Sequence, residues 1–164
     1  MLWDHLTMDP MWLGRYTDLG HDDIRSLTFE LAVQELHLVR RYAAKVLYEL
    51  SLHRSDLVDM GPEYVSRLSE ATLFRYSEDD HLGDVDAGFY SARYVRAWQL
   101  ESLISETLRN RFDADWYRNP HAGEFVHQLM ARGQGTPADG LASEVAGVDL
   151  AFDAIVRRVE PLLD

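Results

Sequence analysis

The chain has 164 residues, with 16 Lys and Arg against 28 Asp and Glu, a net charge of −12 and a pI near 4.9. That balance points away from nucleic acid, whose phosphates are met by concentrated Lys and Arg; here Lys45 is the only lysine and the arginines are spread along the chain. The lack of cysteine excludes a disulfide framework, a zinc-thiolate cluster and a thiol nucleophile, while 46% hydrophobic residues suffice for a real core.

The chain reads as a single helical domain over 1–164, punctuated by Gly and Pro. Residues 1–20 form an apolar N-terminal segment carrying Trp3 and Trp12 and closed by Gly20. From Asp22 to about His53 there is no Gly or Pro, and Ile24, Leu27, Leu31, Val39, Tyr42, Ala43, Val46 and Leu50 recur at helical spacing. Asp22 is the expected N-cap, with Asp23 in the positive first turn. Leu36, Leu38 and Leu47 widen the stripe, so cover is expected on more than one side. Gly61-Pro62 opens a helix to about Tyr76. Residues 77–87 read as a polar, acidic loop, followed by a second long helix from about Gly88 to Phe112. Asn119-Pro120 starts another helix, ended by Gly133 and Gly135. Thr136 is the expected cap of a short helix opened by Pro137, and a last helix is expected over 148–163. No segment alternates convincingly enough for a strand, so the fold class is all-α, a helical bundle or array. The longest apolar runs fall short of the roughly 20 residues that span a bilayer, and the first residues lack the basic and apolar regions of a signal peptide. The expected setting is cytoplasmic, with no nucleic acid and no membrane as partner.

Chemistry is sparse. There is no His-Glu-x-x-His, no P-loop, no dinucleotide-binding glycine fingerprint and no Gly-x-Ser-x-Gly elbow. Glu78 and His81 have the Glu-x-x-His spacing of helical di-iron proteins, but only once and within the expected loop. Glu49 and His53 share a helix face at i and i+4, most simply as a solvent-facing pair near a helix end. A carboxylate-histidine metal site is thus the weakest reading, and no metal ligand set is assigned. The richest stretch runs from Asp84 to Trp98. Tyr90, Tyr94 and Trp98 are four apart and stack along one face, beside Arg93 and Arg96. Phenols on a rigid helix can donate to a peptide carbonyl or a developing oxyanion; an aromatic core stripe with arginine stems packed beside it is the plainer reading of the same spacing.

His81-Leu82-Gly83 followed by Asp86-Ala87-Gly88-Phe89-Tyr90 resembles a segment late in the M3 metallopeptidases, the thimet oligopeptidase and oligoendopeptidase F group. There a histidine precedes a tyrosine cluster opening a helix that lines the zinc site. Arg111-Phe112, Asn119-Pro120 and the run from Leu129 to Gly135 are similar to that group's C-terminal helices, and Met1 to Leu6 to the stretch after its third zinc ligand. The resemblance implies that His81 and Tyr90 match family residues, while Val85, Phe89 and Ala92 stand where the family has tyrosines. Tyr94 then serves only if its helix presents it to the same cleft. It also implies that the zinc ligands and the general-base glutamate precede the position of Met1. Hydrolysis needs zinc held by three protein ligands, so no complete catalytic set and no cofactor are expected in this chain. The expectation is a C-terminal substrate-channel subdomain with His81, Tyr90, Arg93 and Tyr94 as candidate substrate-binding residues, and a peptide substrate shared with the rest of a parent protein. Two other readings stand beside it: a non-enzymatic interaction module, for which Trp3, Trp12 and the wide apolar face of the long helix speak, with a second copy as partner; and the metal-binding bundle.

Overall fold

The computed structural model describes residues 2–54 and 59–163; Met1 and Asp164, the ends of the 1–164 span, lie outside them. Among the described residues there are seven α-helices and no strand: α1 (Pro10–Tyr16), α2 (His21–Arg54), α3 (Gly61–Thr72), α4 (Tyr90–Phe112), α5 (Pro120–Ala131), α6 (Ala138–Ala146) and α7 (Asp153–Val159). The all-α expectation holds, and among these residues no helix is long and apolar enough to cross a membrane.

Several boundaries move, each for a local reason. The Gly20 carbonyl accepts from the Ile24 amide at 3.0 Å, so α2 begins at His21, and Asp22 and Asp23 occupy its first turn instead of the cap. Leu73 adopts φ 63°, which stops α3 at Thr72 and not near Tyr76. Gly88 and Phe89 both have positive φ, 65° and 55°, so α4 cannot start at Gly88 and starts at Tyr90. Pro137 takes the cap position of α6 in extended conformation, with no side-chain cap from Thr136. The last helix covers only Asp153–Val159, followed by a 3-10 turn at Glu160–Leu162, and residues 148–152 are not helical. By contrast Asn119 caps α5 through its side chain, accepting from the His121 amide at 3.0 Å, just ahead of Pro120. Asp9 does the same for α1, accepting from Met11 and Trp12 at 2.8 and 3.2 Å.

The chain falls into two compact units, one of residues 1–33 and 96–164, the other of residues 34–95. In the first, Leu6, Leu108, Trp116, Ala122 and Val126 form an apolar core and Leu103, Ala142 and Ala154 a second cluster. In the second, Ala44, Tyr48, Met60, Tyr64 and Leu68 pack together. Cover over α2 is narrower than its leucines predict: Leu38 and Leu47 are 36% and 54% exposed.

Candidate functional site

The unit of residues 34–95 carries the candidate site, and an ionic latch shapes it. Arg41, Lys45 and Glu49 recur every four residues on α2, so they share one face. They meet the acidic segment before α4. Arg41 Nη2 lies 2.7 and 2.8 Å from the two oxygens of Asp84, which also accepts from the Tyr64 hydroxyl at 2.9 Å. Lys45 Nζ sits 2.8 Å from Asp86 and 3.3 Å from Asp84, with its side chain only 5% exposed. Glu49 is fully buried; its Oε1 accepts from the Asp86 amide at 3.1 Å and lies 3.2 Å from Ser91 Oγ. Ser91 Oγ also lies 3.0 Å from Asp86, and its one proton serves one carboxylate at a time. Glu49 Oε2 is buried without a partner. Glu49 is therefore not the solvent-facing half of a pair with His53, whose ring packs instead on Phe89 at 4.9 Å.

The electrostatics follow from this wiring. The Lys45 ammonium hydrogen-bonded to Asp86 holds that carboxyl below its ordinary value. Burial works against the Lys45 charge, but Asp86 and Asp84 outweigh it and the net direction is upward. Burial, then the bond to Asp84, pushes the Tyr64 phenol far up, so it remains a donor.

The latch fixes the start of α4, where the expected residues lie. Tyr90 is 46% exposed and meets Tyr94 edge-on, ring centroids 5.1 Å apart. Tyr94 in turn packs against Tyr42 at 5.2 Å, and the Arg93 guanidinium sits 5.8 Å from the Tyr90 ring centroid. The Tyr90 hydroxyl beside it raises the Tyr94 phenol, which keeps its proton at neutral pH. Tyr90, Arg93 and Tyr94 are thus brought together. His81 is tied into the preceding turn: its Nδ1 lies 2.7 Å from the Glu78 carbonyl, and its own carbonyl accepts from Tyr48 at 3.0 Å. Glu78 opens a short 3-10 turn, Glu78–Asp80, within the expected loop.

The arrangement offers phenolic donors and a guanidinium. No group of three His, Asp or Glu that could hold a metal ion occurs among the described residues. Sequence reasoning missed Arg41, Lys45 and Tyr64 and paired Glu49 with His53; the one available signal was an i, i+4, i+8 run of charged residues, including the chain's single lysine, along one face of the long helix. No family model, no curated protein and no solved structure matches this chain.

Proposed function

We propose that this chain is a peptide-facing, non-catalytic helical subdomain, similar to the C-terminal part of the M3 zinc oligopeptidases. The observation that carries the reading is the half-exposed Tyr90, with Tyr94 and Arg93 beside it, at the head of a helix whose start is held by partly buried ion pairs. Phenols fixed in that way can meet a peptide carbonyl with little ordering cost. Zinc belongs to this reading only through polypeptide carrying three ligands, which would supply the activated water.

Fluorescence anisotropy of a labelled oligopeptide pool titrated with the full chain tests it. Tyr90→Phe and Tyr94→Phe each remove one donor and should weaken binding by roughly 2- to 10-fold, the range of one hydrogen bond. Binding indifferent to both substitutions and to Arg93→Gln, or peptide hydrolysis by this chain alone on adding zinc, would defeat the proposal.

An interaction module is the second reading. It is favoured by Phe29 and Val33, four apart on α2 and each 45% exposed, and by Trp3 at 54%. Light scattering that finds only monomer at high concentration counts against it.

A further inference from the structure

The unit of residues 1–33 and 96–164 holds a second set of buried polar groups, unrelated to the tyrosine helix. His5 lies in the 3-10 turn Asp4–Met8, and its Nε2 approaches Glu101 of α4 to 2.6 Å, both side chains being 8% exposed. The contact is close but not directed, since neither Glu101 oxygen meets a donor in hydrogen-bond geometry. The other ring nitrogen, Nδ1, is buried and has no partner. Such an atom calls for an explanation.

His5 is among the residues lining a cavity of about 320 Å³, together with Ser102, Arg109, Asn110, Arg157 and Arg158. Pockets for small molecules begin near 300 Å³. Three guanidiniums lining one small cavity, against the single carboxylate of Glu106, stand out in a chain of net charge −12. Arg158 donates to Ser102 Oγ at 3.1 Å, which fixes it against the wall. Arg109 uses one N–H on Asp9, at 2.7 Å, and its fork has further donors. Guanidinium forks match planar oxyanions in geometry. Arg157 already holds Glu106 at 2.8 and 2.9 Å, Arg109 holds Asp9 and Glu101 lies against His5, so little net positive charge is left over and a monoanion suits the pocket better than a dianion.

We propose that this pocket binds a small carboxylate-bearing molecule, with the remaining N–H groups of Arg109 contacting the carboxylate beside His5. The test titrates the full chain with sodium butyrate, inorganic phosphate and, at matched ionic strength, sodium chloride. Thermal stability and the histidine ring resonances are followed, the His5 signal being assigned by its loss in His5→Gln. Butyrate should raise the melting temperature saturably and move the His5 signal, and His5→Gln and Arg109→Gln should each weaken it by about tenfold, near 1.4 kcal/mol. Arg109 is 43% exposed, so its substitution remains informative if His5→Gln does not fold. Equal responses to butyrate and chloride, unchanged affinity in either variant that folds, or tighter binding of phosphate than of butyrate would each overturn the proposal.

Discussion

The two units solve the same stability problem by different means. Residues 1–33 and 96–164 bury apolar surface around Trp116 and Leu108, which are 3% and 0% exposed. Residues 34–95 bury apolar surface too, but around a spine of charge: Arg41, Lys45 and Glu49 on α2 against Asp84, Asp86 and Ser91. Hydrophobic burial is non-directional and tolerates rearrangement, whereas buried ions need each partner in place. The second unit therefore gains a uniquely positioned segment before α4, and with it a sensitivity to charge at that segment.

The largest expected effect falls in the first unit. Trp116→Ala should cost about 3–5 kcal/mol, the range for deleting a buried large aromatic. Urea denaturation measures the loss, and hydrogen exchange should show the damage concentrated in residues 1–33 and 96–164. A cost below about 1 kcal/mol would mean this core is not what holds that unit together.

Lys45→Met comes next and separates the two modes of stabilisation. Asp84 keeps Arg41 and Asp86 is partly solvated, so the cost should fall to roughly 1–3 kcal/mol, less than for a fully isolated buried charge. The pH dependence has a defined sign. The Asp86 pKa is depressed on folding, so its contribution is present above the ordinary aspartate value near 4 and is lost as pH falls through the lowered folded value. Lys45→Met should remove that acid-side loss, which a stability-against-pH series in both proteins would reveal. An unchanged series would show that Lys45 does not govern Asp86.

Arg67→Ala marks the small end. Its partner Glu63 is an i, i+4 neighbour at 2.6 Å, and both side chains are about a third exposed or more, 40% and 32%. Solvent screening limits such a pair to about 0.5 kcal/mol. The effect should vanish in high salt while that of Lys45→Met persists, a contrast equilibrium unfolding with and without salt can read.

The candidate site was only partly legible in the sequence. The four-residue spacing of Tyr90 and Tyr94 foretold that they meet on one face, because helix geometry alone puts i and i+4 together, while the edge-on geometry came from the structure. His81 was chosen by resemblance, and its ring binds within its own turn, to Glu78. Asp84 and Asp86 looked like part of a solvated acidic loop; their partners Arg41 and Lys45 lie 43 and 41 residues earlier, beyond the reach of any local pattern. The same distance hid Glu49, whose buried carboxylate meets a backbone amide 37 residues on.

By itself the sequence determined that the chain is helical and roughly where its helices begin and end. Gly61-Pro62, Asn119-Pro120 and the absence of breakers over 21–54 act through local backbone energetics, which each segment carries with it. Which charged side chains are buried, and which aromatic stays half in water, only the tertiary structure decided. Desolvation and ion pairing depend on neighbours that chain order does not reveal, so Lys45 and Glu49 became interior residues and Tyr90 an exposed one.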